Sequence, residues 1–155
     1  METAVVSDPI TGEEDLGNLH QPEQALAQFY RALNRRNIDL MAQNWDSSSQ
    51  AAMDNPLGGI KRGWREIRPV YERIFNGGSS YHFEFYDYTL HLAENIFYAV
   101  GRERGYYEKK GTRLEMKIRT TRVFRRIDGR WRQVHHHGSI EDPQLLAAYQ
   151  RAVSS

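Results

Sequence analysis

The chain has 155 residues, 26% of them charged and 12% aromatic, with a formal net charge of +1. That length suits one domain with one core, and no apolar run approaches the roughly 20 residues of a membrane helix. There is no cysteine, which excludes disulfides, thiol catalysis and thiolate-bound zinc. With no secretory pattern at the start, the expectation is a cytoplasmic protein.

Residues 1–21 are acidic, rich in turn formers and aperiodic, and read as a flexible arm or a strap laid on the surface. A single domain is expected over 22–153. Pro22 opens it at a helix start, and Leu26, Phe29 or Tyr30, and Leu33 recur at helical spacing through "PEQALAQFYRALNRR". "NIDLMAQNW" predicts a second, short helix with Leu40, Met41 and Trp45 inward. "SSSQAAMDNPLGG" reads as a short strand broken by Asn-Pro and Gly-Gly. A third helix is predicted near "GWREIRPVYERIF", with Pro69 disturbing its first turns.

After "NGGSS" the period changes to two. Four aromatic and β-branched runs, separated by Ala-Glu-Asn, Lys-Lys-Gly and Asp-Gly turns, predict an antiparallel meander. Asp142-Pro143 then introduces a last helix, "PQLLAAYQRAV". Helices first and strands afterwards indicate an α+β fold with helices on one face of a curved sheet.

The charge is unevenly spread, since residues 109–132 hold ten basic residues against Glu115 and Asp128. A polyanion groove would need them on one face. Strand alternation instead puts Arg113, Lys117, Arg119 and Arg125 on one side, and Arg122 and Arg126 on the other, which argues against nucleic acid.

The string "TTRVFRRIDGRWRQVHHHGS" resembles the end of the association domain of calcium/calmodulin-dependent protein kinase II, a member of the nuclear transport factor 2-like superfamily; "LGGIKRG" and "AVGRE" match it more weakly. The resemblance implies a cone-shaped curved antiparallel β-sheet, with the N-terminal helices packed on its concave face around a pocket. It implies that Arg102 and Arg122 lie deep in that cone, where a guanidinium fork suits a small carboxylate-bearing or amphipathic ligand. A further pocket arginine would fall on Gly138, and a pocket histidine on Ile67, so both are lost. Tyr30, Trp64 and Tyr98 would supply apolar walls.

Enzymes of the same superfamily, the ketosteroid isomerases and SnoaL-like cyclases and dehydratases, offer the alternative. Their catalytic aspartate, immediately before a proline, corresponds to Asn55, which cannot abstract a proton and is counted here with the pocket. The oxyanion-donating tyrosine would fall at Phe29 or Tyr30. His136 and Asp54 are the remaining candidate bases, with no complete catalytic set in view.

On a strand only His135 and His137 share a face, and the sequence shows no carboxylate beside them, so neither a metal site nor a cofactor is expected. Counting by twos from Gly138 places Arg132, Val134 and His136 on the pocket face. Trp131, Gln133, His135 and His137, with Val123 and Thr121, then form an outer face too apolar to leave wet, which predicts a homodimer or a higher homo-oligomer.

Overall fold

In the computed structural model, which describes residues 3–155, Pro22 occupies the first turn of helix α1 (Pro22–Asn34), where its missing N–H has no partner to lose. Leu26, Phe29, Tyr30 and Leu33 of α1 are all buried. Asn37 caps α2 (Ile38–Asn44) by accepting from the Leu40 amide at 3.0 Å. Two short strands follow, β1 (Ala52–Asp54) and β2 (Lys61–Arg62), and then α3 (Trp64–Asn76), which runs on through Pro69.

The meander is present as β3 (Ser80–Leu92), β4 (Ile96–Lys109), β5 (Thr112–Ile127) and β6 (Arg130–Ser139). Its β5–β6 hairpin turns at Asp128-Gly129, both at positive φ, which is the backbone a two-residue hairpin requires. Asp142 caps α4 (Pro143–Ser154) through the Gln144 amide at 2.9 Å.

The six strands form one sheet in the order β2-β1-β6-β5-β4-β3. It is mixed rather than wholly antiparallel as expected, because β1 pairs parallel to β6, with Asp54 opposite His137 and Ala52 opposite His135. The sheet does not close on itself. Helix α1 packs against β3 and β6, and α4 against β4 and β5, so the core lies between the helices and one sheet face.

Two bulges bend the sheet and set which residues face inward. On β3 the register shifts between Tyr86 and Thr89, where Asp87 takes a positive φ of 51°. Gly101 lies across from this bulge, and a Cβ there would fall 2.6 Å from the Tyr88 Cβ. On β6 the pairing passes from His135 opposite Val123 to Gln133 opposite Phe124, leaving Val134 as the extra residue.

The acidic segment crosses the open edge of β3. Ile10 exchanges both backbone hydrogen bonds with Phe85, at 2.7 and 2.9 Å, and the Val6 amide donates to the Tyr88 carbonyl at 2.8 Å. Arg31 fastens its far end by donating to the carbonyls of Gly12 and Glu14.

Because a methyl group at Gly101 meets a β-carbon and not the end of a flexible chain, Gly101→Ala should destabilise the domain by about 1–3 kcal/mol, the range for an overfilled core. The shift of the urea midpoint at constant slope measures it.

Candidate functional site

The interior of the cone is organised around Arg122, which is 2% exposed. Strand alternation brings it inward from β5 to meet Glu103, inward from β4, at 2.7 Å between Arg122 Nη2 and Glu103 Oε1. The Tyr30 hydroxyl of α1 donates to the same Glu103 oxygen at 2.8 Å and accepts from Arg122 Nε at 3.3 Å. Arg122 Nη1 donates to Gln133 Oε1 at 2.9 Å, and Gln133 Nε2 donates to Asn44 Oδ1 at 2.9 Å. Asn44 in turn donates to Gln28 Oε1 and to the Ala25 carbonyl. The guanidinium also lies 3.6 Å from the centre of the Phe29 ring.

These contacts tie α1, α2, β4, β5 and β6 together through buried polar groups. Burial opposes the charge on Arg122, but Tyr30 and Glu103 more than offset it, and the guanidinium is held more firmly protonated than usual. Burial, with Glu103 beside it, pushes the Tyr30 hydroxyl well above its ordinary range, so that it stays a hydrogen-bond donor.

Beside this network lies a cavity of about 60 Å³, lined among others by Asn55, Pro56, Glu103, Arg122, His136 and Tyr149. Drug-sized ligands occupy roughly 300–1,000 Å³. This space holds only a few waters. His136 is 5% exposed, and burial, with the Arg122 charge behind it, keeps its pKa well below the usual imidazole range. Its Nδ1 faces the Thr121 carbonyl at 3.3 Å, which fixes Nε2 as the acceptor. A Cβ on Gly138 would meet both His136 Nε2 and Pro56 Cδ at 3.1 Å, so an arginine there would crowd the wall as it stands.

Of the expected pocket residues, Arg122, His136 and Asn55 therefore line the cavity, with Tyr30 bonded to its Glu103 wall. Arg102, Tyr98 and Trp64 lie elsewhere. Arg102 and Tyr98 share the opposite parity from Phe97, Ala99 and Glu103, and β4 has no bulge against β5 to bring them in. Arg102 is half exposed, pairs with Asp87 at 3.1 Å and Glu141 at 3.6 Å, and borders an open depression of about 450 Å³ with Lys117 and Arg119. Tyr98 stacks on His91 on the outer face with ring centres 4.4 Å apart. Trp64, at the start of α3, borders a separate depression with Ser47, Ser48 and Ser49.

The proposed interface residues divide in the same way. Trp131 and Gln133 are 1% and 0% exposed, facing inward, because the Val134 bulge reverses the alternation between them and His135. Arg132 accordingly leaves the pocket face and donates weakly to the Gln43 and Trp45 carbonyls. His135, His137 and Val123 keep the outer face. Asp54 does not line the cavity; it stands on the outer side against both histidines, with Oδ2 2.6 Å from His137 Nδ1 and Oδ1 3.7 Å from His135 Nε2. A carboxylate does accompany this histidine pair, contrary to expectation, because the parallel β1–β6 pairing delivers it from the other half of the chain. Glu103, which the sequence offers as one of the acidic neighbours able to pair with Arg102 or Arg122, faces inward with the parity of the core residue Phe97 and pairs with Arg122.

A curved mixed sheet with helices on one face and a polar centre defines the class of nuclear transport factor 2-like folds. The chain belongs to the SnoaL-like domain family, whose model matches residues 23–143. Its fold is similar to that of the association domain of CaMKII from C. elegans (20% identity, TM-score 0.62, covering 76% of this chain and 91% of that one). It is also similar to a ketosteroid isomerase-like protein from Erwinia carotovora atroseptica (16% identity, TM-score 0.67, 81% of this chain and 97% of that one). Among curated proteins it is 23% identical over 122 residues to the F-box protein SKIP8 of Arabidopsis thaliana, covering 77% of this chain. The chain spans about half the length of that relative.

Removing one partner of a buried ion pair leaves an uncompensated charge at a cost of about 3–5 kcal/mol. Glu103→Leu should therefore lower stability by about that amount in chemical denaturation, and Glu103→Leu combined with Arg122→Met should recover most of the loss.

Proposed function

We propose that the domain is a non-catalytic, self-associating module whose contact surface is the outer face of the sheet. The observation that carries this reading is a row of large apolar side chains left wet on one face. Ile96, Tyr98 and Val100 of β4 are 40%, 43% and 42% exposed, and Val123 of β5 adjoins Tyr98 across the ladder. A contiguous apolar surface on a sheet face marks a contact site, and a second copy of the same face is the partner it fits most simply. Similarity in fold to a kinase association domain supports self-association. The interior argues the same way: Arg122 already has its carboxylate in Glu103, and a guest acid would have to displace it from a cavity with room for only a few waters.

One observation favours a second reading, a small isomerase, cyclase or dehydratase of the SnoaL-like type. His136 presents a bare Nε2 at the cavity wall beside Asn55 and Arg122. Proton abstraction from a small carbon acid that is lost in His136→Gln would support it.

For the first reading, the hydrodynamic mass should exceed the 18.1 kDa of one chain at micromolar concentration. Tyr98→Glu with Val100→Glu should return the protein to a monomer with its circular dichroism unchanged. A wild-type monomer at high concentration overturns the proposal.

A further inference from the structure

The geometry points to a divalent transition-metal site, of the zinc, nickel or cobalt class, formed by Asp54, His135 and His137 at the β1–β6 end of the outer sheet face. The site is separate from the interior cavity and goes beyond the self-association reading.

Its parts are set by the ladder. His135 and His137 are two apart on β6 and so project from the same face, and the parallel register puts Asp54 directly opposite His137. One imidazole nitrogen from each histidine and one carboxylate oxygen lie within 4.8 Å of one another. The three side chains are 39%, 58% and 27% exposed for His135, His137 and Asp54, so an ion can reach them from solvent.

The hydrogen bonding shows why a cation belongs there. His135 Nδ1 is 2.9 Å from the Ala52 carbonyl, which can only accept, so Nδ1 carries the proton. In the neutral ring Nε2 is then a lone pair, and it faces Asp54 Oδ1 at 3.7 Å, too far for a hydrogen bond. Two electron-rich atoms thus confront one another across a gap that a positive ion would fill. The same backbone bond orients the ring as the outer-shell partner of a metal-bound histidine does. On the other side a single proton joins His137 Nδ1 to Asp54 Oδ2 at 2.6 Å, and an incoming ion would take that proton's place.

Two imidazoles and one carboxylate suit zinc, nickel, cobalt or ferrous iron better than calcium or magnesium, which favour all-oxygen shells. Three protein ligands leave the remaining positions to water, the pattern of open rather than purely structural zinc sites.

Calorimetric titration of the chelator-treated 155-residue chain with zinc sulfate, and the visible absorption of a cobalt complex, test the site. The expected result is one ion per chain, with at least tenfold weaker binding in Asp54→Asn and in His137→Gln and no change in His82→Gln. Three consecutive histidines also bind metal when unfolded, so the urea-unfolded chain is the reference. Native affinity no greater than that of the unfolded chain, or affinity indifferent to Asp54→Asn, overturns the proposal. Circular dichroism confirms that each variant is folded. Should Asp54→Asn fail that check, His137→Gln carries the test, and undiminished affinity there is equally fatal.

Discussion

The interior of this domain answers to one requirement: a guanidinium with almost no access to water must have an anion beside it. Transfer of an ion into a protein interior costs several kcal/mol even after relaxation, and Arg122 recovers that only through Glu103, Tyr30 and Gln133 together. The partners come from α1, β4 and β6, so these elements must meet at the length and angle of those hydrogen bonds. An apolar core of the same volume tolerates sliding. This one does not, and the network fixes the depth at which α1 rides on the sheet. The resemblance to the kinase association domain implies an arginine reserved for a carboxylate. Here the chain carries that carboxylate itself.

A second constraint acts on β6, where one inserted residue separates two runs of opposite phase. Before Val134 the odd positions are inward, with Trp131 wedged edge-on against Phe97 and Gln133 joined to Arg122. After it the even positions are inward, with His136 at the cavity and Gly138 buried beside it. The three histidines are consequently divided between two environments. His136 is buried and neutral, while His135 and His137 stand outside with Asp54.

The helices and the four long strands were legible because aromatic and β-branched runs with Gly-containing turns leave few alternatives. The inward position of Arg122 was legible as well. The bulge was not, since nothing in the composition of "RWRQVHHH" distinguishes a continuous strand from one that gains a residue at Val134. Phase counted from Gly138 therefore failed beyond His135. Arg102 failed for a different reason: a motif likeness drew it inward, whereas parity with the exposed Val100 places it outside. Asp54 could not be found by local reading at all, because a parallel pairing between β1 and β6 joins distant parts of the chain and has no turn to announce it.

The strap across β3 limits the forms that association can take. An uncovered edge strand invites further strands, and repeated addition yields open polymers. Here Val6 and Ile10 hold backbone positions along that edge, and the opposite edge is β2, only two residues long. Growth in the plane of the sheet is thereby discouraged at both ends. In the proposed self-association, contact would be left to the broad face, where two identical surfaces related by a twofold axis would satisfy each other and stop. In such an assembly the acidic leading segment would work as a terminator, favouring a countable assembly over a fibre.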